Sequence, residues 1–311
     1  MKIVPSWREI SRRVRNQEHP LNTLRHTYLK HLNEYTGRNI IAYYSAFIQK
    51  PGFEGLAIDD NDKNAFMQAM CGLDKSKGLD LILHTPGGNI AATESIVYYL
   101  REMFGKDIRV IIPQIAMSAG TMIALSSKEI IMGKQSNLGP IDPQFGGMSC
   151  AGIIEEFERA KTEVAQNPNL SYLWSPIIGK YHPTFIGDCQ KAVEWAEKIV
   201  KEWLKTNMFS KDKNKDAKAD SVVSFLSSHN DTYSHSRHIH TKDLKKLGIK
   251  VKQLEGFDNR TIGDCKDFQD CVLTLHHSYM HSLAETDAMK IVENHVGELM
   301  CMIARQQGGQ N

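Results

Sequence analysis

Ser118 sits among small residues, in a setting where a hydroxyl has little structural reason to be. Residues 114–127 read QIAMSAGTMIALSS, with Ala116, Ala119 and Gly120 crowding the serine. A buried strand or helix is served there by Ala or Val. A nucleophile on a strand-to-helix turn needs small neighbours, so that a substrate backbone can approach. Upstream stands HTPGGN, His84 to Asn89. A Gly-Gly pair turns sharply and exposes its N–H groups. Two backbone N–H donors aimed at one point hold the oxyanion formed in acyl transfer. The expected donors are the N–H of Gly88 and the N–H of Ala119, and a helix opening at Ser118 adds the positive end of its dipole. Gly87, His84 and Asn89 flank this point, either to bind substrate backbone or to shape the turn.

Such residues meet only if the right elements carry them. NIIAYYSAFI (39–48) is β-branched and aromatic, which predicts a strand. GLDLILHT (78–85) is a short apolar run suited to a buried parallel strand. Between them a helix begins near Lys63, capped by Asp60 or Asp62. After PGGN, residues 90–104 place Ile90, Ile96, Val97, Leu100 and Phe104 at helical spacing. DIRVIIPQIA (107–116) reads as the next strand, SAGTMIALSS as a helix of small residues, and KEIIMG (128–133) as a further strand. Alternating strands and helices give right-handed βαβ crossovers and a mostly parallel sheet. Loops at the carboxyl ends of adjacent parallel strands face one crevice, so the Gly pair and Ser118 are expected side by side. Helices are predicted at about 151–167 and 184–208, then helix, turn and strand over 241–255. One long helix is expected from Asp264 onward. The chain divides into an N-terminal helical arm (1–36), a catalytic domain (37–258) and a C-terminal helical extension (259–311).

The stretch DLILHTPGGNIAATESIVYYLR, followed by VIIPQIAMSAGTMIALSSKEIIMGKQSNLGPIDPQ, resembles the serine dehydrogenase proteinase family. That family lies within the Clp-protease/crotonase superfamily of serine peptidases. The likeness runs over about residues 25–255 and is strongest over 78–145. It implies an α/β ClpP/crotonase-like ββα superhelix with Ser118 as nucleophile and Gly88 and Ala119 as oxyanion donors. It also implies assembly into rings or stacked rings, a role suited to a C-terminal helix such as 265–305.

The general base has three readings. Where Clp subunits carry their histidine, this chain has GPIDPQFGG, with Asp142 or Pro143 at the corresponding place. Signal peptide peptidase A and the stomatin-specific membrane proteases use a Ser–Lys dyad. The nearest matches are Lys191, near the start of an amphipathic helix, and Lys180. Burial would depress such a lysine toward the pKa that a base requires. The third reading takes His235, or His238, from SHSRHIHTKDLKKLGI, with Asp142 orienting it in a permuted triad.

The composition supports a globular chain and narrows its partners. It is 41% hydrophobic and 24% charged, with a net charge of +2, too weak a bias to imply nucleic acid. No apolar run reaches the length of a bilayer span, and the basic N-terminus lacks a secretory h-region. Six cysteines without a C-x-x-C pair point to free thiols in a reducing compartment, hence a cytoplasmic location. The cluster His276, His277 and His281 lacks an accompanying carboxylate motif, so neither a metal nor a cofactor is expected. The leading reading is a serine endopeptidase acting on polypeptide as a homo-oligomer, with a regulatory partner left open. Two others keep the fold: an assembly protein without activity, and a crotonase-type enzyme for acyl-CoA.

Overall fold

The computed structural model describes residues 20–303, so the part of the expected N-terminal arm before Pro20 lies outside the described residues. Helix α1 (Pro20–Thr36) leads into strand β1 (Asn39–Ser45). Then follow α2 (Asp60–Ala69), β2 (Leu79–His84), α3 (Ile90–Phe104), β3 (Ile108–Ile112) and the short β4 (Ile115–Ala116). Helix α4 (Ala119–Leu125), β5 (Glu129–Met132) and β6 (Asn137–Leu138) come next, then a small hairpin of β7 (Gln144–Phe145) and β8 (Met148–Ser149). A helical segment comprises α5 (Cys150–Gln166), α6 (Ser171–Ile178), α7 (Phe185–Thr206), α8 (Lys215–Ser227) and α9 (His229–Thr232). The chain closes with β9 (Ile239–His240), α10 (Thr241–Lys246), β10 (Val251–Gln253), α11 (Phe268–Glu285), β11 (Ala288–Asn294) and β12 (Leu299–Ile303).

Seven strands build the central sheet in the order β10-β5-β3-β2-β1-β11-β12. From β10 to β1 all neighbours are parallel, while β11 and β12 add antiparallel at the β1 side. The mixed α/β class and the mostly parallel sheet read from the sequence are therefore present. Strands covered on both faces read as unbroken apolar runs, and β1 and β2 are buried at every residue. Alternate side chains serve opposite layers. Leu79, Leu81 and Leu83 pack with Ile96, Val97, Leu100 and Met122 of α3 and α4. Ile82 packs on the other face, in the cluster that holds Leu29 of α1 and Leu275 and Tyr279 of α11.

Helix starts follow side-chain caps. Asn89 accepts the Ala92 N–H at 3.1 Å and opens α3. Helix α2 begins one residue earlier in its cap than expected. Asp59, not Asp60 or Asp62, is the cap, and Asp62 completes a capping box by accepting the Asp59 N–H at 2.8 Å.

Three expectations need correction. The predicted strand 107–116 breaks at Pro113-Gln114, since Pro lacks the N–H a central strand needs. Its end, β4, joins a separate sheet, β4-β6-β9. Helix α6 lies where no element was expected. The expected C-terminal helix exists but ends at Glu285, and the rest of the extension supplies two sheet strands, β11 and β12. AMKIVEN (288–294) is rich in helix formers, and all seven residues are buried, so it shows no alternation. Pairing with β1 decides its conformation over propensity. Among the described residues no helix is long and apolar enough to cross a membrane.

Candidate active site

The two motifs singled out in the sequence are joined backbone to backbone. Thr85 donates its N–H to the Ile115 carbonyl at 3.2 Å, and Met117 donates to the Thr85 carbonyl at 3.0 Å. The Gly87-Gly88 turn thereby lies against the turn that carries Ser118. A Cβ on Gly87 would stand 2.7 Å from Ser118 Cβ and 2.9 Å from the Ala119 nitrogen. Gly88 is held from the other side by Ile58, whose backbone N and O would both lie 2.3 Å from an added Cβ. Ile58 donates to the Gly87 carbonyl at 2.7 Å and accepts from the Asn89 N–H at 2.9 Å. Only glycine admits backbone so close on both sides. Ile58 had no signal in the sequence, because it acts through its backbone.

Ser118 is strained. Its φ is +50° and its ψ −116°, and Tyr233 is the only other non-glycine residue with positive φ among those described. Such a conformation costs about 1–3 kcal/mol and persists only where the surroundings impose it. Ser118 precedes α4 yet its side chain does not cap the helix. Ser118 is half-buried, and its hydroxyl makes no hydrogen bond among the described residues. The Gly87 N–H is spent on Thr85 Oγ1 at 3.2 Å. The Gly88 and Ala119 N–H groups donate to no acceptor among the described residues.

A second pair stands at the end of the small sheet. Ala116 pairs with Leu138 in parallel, and Leu138 pairs with Ile239 antiparallel. Past these pairs, Ile141 donates its N–H to the Leu226 carbonyl of α8 at 2.9 Å. His235 Nδ1 meets Asp142 Oδ1 at 2.7 Å. The Asp142 side chain is 1% exposed and that of His235 16%. Gly139 packs on the Ser118 turn, since a Cβ there would lie 3.3 Å from Met117 Cα, and its N–H donates to Thr121 Oγ1 of α4 at 2.9 Å. When the imidazole donates through Nδ1–H to a carboxylate, Nε2 is left as the acceptor, the arrangement a base needs.

Other expected site residues are placed elsewhere or occupied. Lys191 on α7 and Lys180 after α6 are exposed, so the burial that would make either a base is missing. Asn89 spends its side-chain oxygen on the α3 cap rather than on substrate. His84 is wholly buried and cannot touch a polypeptide. It has the parity of Ile82, so its ring turns away from the crevice, against Tyr44, Phe47 and His276. Neither ring nitrogen has a hydrogen-bond partner among the described residues, and burial pushes the pKa down to about 3. Around Ser118 the described residues hold no group of three metal-ligating side chains. One such group lies on the other face of the sheet.

Comparison with known proteins places the chain in a family. The family model for ClpP-like SDH-type serine proteinases matches residues 15–255. Two uncharacterized proteins of Methanocaldococcus jannaschii are similar in sequence. One is 33% identical over 205 residues, 66% of this chain and 62% of the relative. The other is 30% identical over 202 residues, 65% of this chain and 62% of the relative. The chain thus spans less than two thirds of the length of these relatives.

Proposed function

The chain belongs to the family of ClpP-like SDH-type serine proteinases, and on that premise we propose that it hydrolyses polypeptide through an acyl-enzyme on Ser118. His235 is the general base, Asp142 its positioning partner, and the N–H groups of Gly88 and Ala119 form the oxyanion hole. The observation that carries the base assignment is the 2.7 Å bond between His235 Nδ1 and Asp142 Oδ1, from the segments flanking the small sheet whose strand β4 leads into Ser118.

In this reading His235 Nε2 takes the Ser118 proton as Oγ attacks the scissile carbonyl. The carbonyl oxygen becomes an oxyanion and accepts from Gly88 and Ala119. His235 then gives its proton to the leaving amine, and water, activated by the same nitrogen, releases the acyl group. A positioned base contributes about 10²–10⁴-fold, and one oxyanion donor about 10²–10³-fold. The absence of a hydrogen bond on Ser118 Oγ among the described residues fits a free enzyme whose contacts tighten only when substrate is bound. The backbone strain at Ser118 is a conformation that holds Oγ off the helix end it would otherwise cap.

The same reading includes a homo-oligomer. Its support is the apolar surface of α6, where Tyr172 is 85% and Leu173 58% exposed. Residues 37–258 form the catalytic part in this proposal. The test is a fluorophosphonate probe on wild type and Ser118→Ala, with peptide mass mapping and casein hydrolysis in parallel. An adduct on Ser118, absent in the variant together with hydrolysis, supports the reading. A folded, assembled wild type that takes no adduct overturns it in favour of a scaffold role.

A further inference from the structure

Three side chains from two distant parts of the chain meet on the sheet face that bears α1 and α11. His31 lies on α1, Cys265 ends a tight turn, and Cys271 lies in the first turn of α11. One nitrogen of His31 and the two sulfurs all lie within 4.8 Å of one another. Cys265 Sγ is 3.7 Å from His31 Nδ1. Both cysteines are buried and His31 is half-buried. We propose that His31, Cys265 and Cys271 form a structural site for a thiophilic divalent cation, zinc by its chemistry.

The His31–Cys265 separation of 3.7 Å fits such an ion, and a small closure of the 4.8 Å cluster would complete it. Bonds of about 2.3 Å to sulfur and about 2.0 Å to nitrogen place tetrahedral ligand atoms about 3.5–3.8 Å apart. Two thiolates and an imidazole are a set for zinc rather than for magnesium or calcium, which take oxygen. The backbone is shaped for the approach. Ile262 and Cys265 exchange both backbone hydrogen bonds across a two-residue turn, at 3.2 and 3.0 Å. Gly263 in that turn has φ +58°, and a Cβ on it would stand 2.2 Å from His31 Cε1. Glycine lets the imidazole lie over the turn with Nδ1 toward Cys265. Asp264, beside Cys265, accepts the Tyr28 hydroxyl at 2.8 Å, and Tyr28 is one helical turn before His31. The fourth position of a tetrahedral site is left for a water. Binding replaces the two thiol protons by metal–sulfur bonds and releases both to solvent. The ion would tie α1 to residues 262–271, elements that cover one face of the sheet. This site is independent of the peptidase reading.

The test uses the full chain, purified in reducing buffer, stripped with chelator and titrated with cobalt(II) alone. The expected result is one cobalt per chain, with the intense visible bands of a tetrahedral centre and a thiolate-to-cobalt charge-transfer band. Zinc should displace it and raise the melting temperature. Gly263→Ala, which removes no ligand, should weaken cobalt binding by about 10-fold or more. Cys265→Ser and Cys271→Ser should lose the tetrahedral spectrum, while Cys301→Ser, at an exposed thiol, should keep it. A wild type that shows only weak octahedral bands overturns the proposal. So does binding that survives both cysteine variants, or a Cys265–Cys271 disulfide in protein kept reduced.

Discussion

Replacing Ser118 by Gly should make the protein more stable than replacing it by Ala, although both changes remove the nucleophile. Ser118 holds φ +50° and ψ −116°, a conformation that costs a residue with a Cβ about 1–3 kcal/mol. Ala keeps that cost. The hydroxyl has no hydrogen bond to lose within the described residues and the side chain is half-buried, so Ser118→Ala should lie close to wild type. Glycine removes the strain but adds unfolded-state entropy worth about 0.5–1 kcal/mol. The difference leaves Ser118→Gly ahead of Ser118→Ala by about 1 kcal/mol. One kcal/mol moves the melting temperature by about 2–4 °C in chains of about 150–250 residues, and by less in a longer one. Urea midpoints at matched protein concentration are therefore the better assay. A Gly variant that is less stable than the Ala variant by about 1 kcal/mol would refute the idea that the turn stores strain at its serine.

Further outcomes follow from the same contacts. Gly88→Ala should cost about 1–3 kcal/mol by overpacking and should abolish probe labelling, because the Cβ meets Ile58 N and O at 2.3 Å; a stable variant with full labelling would show that the clamp is dispensable. His84 stays neutral when folded, with its pKa pushed down to about 3 by burial, whereas the unfolded chain takes up the proton near pH 6.5. Below that pH the unfolded state binds more protons, so stability falls as pH drops toward 3, by about 2 kcal/mol at pH 5. Burial lowers His276 as well and acts in the same direction. His84→Leu should flatten this acid limb, and an unchanged slope in urea titrations would rule the residue out as its source. Asp80 is wholly buried and accepts from Arg38 Nε and Arg109 Nε, each at 2.7 Å. Asp80→Ala removes the buried carboxylate the two arginines share, leaving Arg38 with Asp107 and Arg109 with Glu129, and should cost about 1–3 kcal/mol, read as a shift in urea midpoint; a loss well under about 1 kcal/mol would contradict a structural role for Asp80.

Local signals carried the parts of the fold that obey local rules. Helix α3 occupies 90–104 as read, because Asn89 caps it and Gly105 ends it. The serine turn and the Gly pair stood out because their residue types make no sense in a plain core. The side-chain direction of His84 was hidden, since it depends on strand parity and on which layer covers which face. The lysine candidates were ranked on burial that a single helix pattern cannot supply. Strand β11 was masked by helix-forming residues, and only its partner β1 makes it extended. His31 shares no sequence spacing with Cys265 and Cys271, because α1 and the turn before α11 meet only through tertiary packing.

The most direct measurement is the rate of fluorophosphonate acylation at Ser118 in wild type, His235→Ala and Lys191→Ala, followed by mass spectrometry of the Ser118 peptide. A fall of about 10²–10⁴-fold in His235→Ala, with Lys191→Ala close to wild type, is the result expected of a serine activated by the His235–Asp142 pair. A His235→Ala variant that labels at the wild-type rate, or a Lys191→Ala variant that does not label, would contradict it.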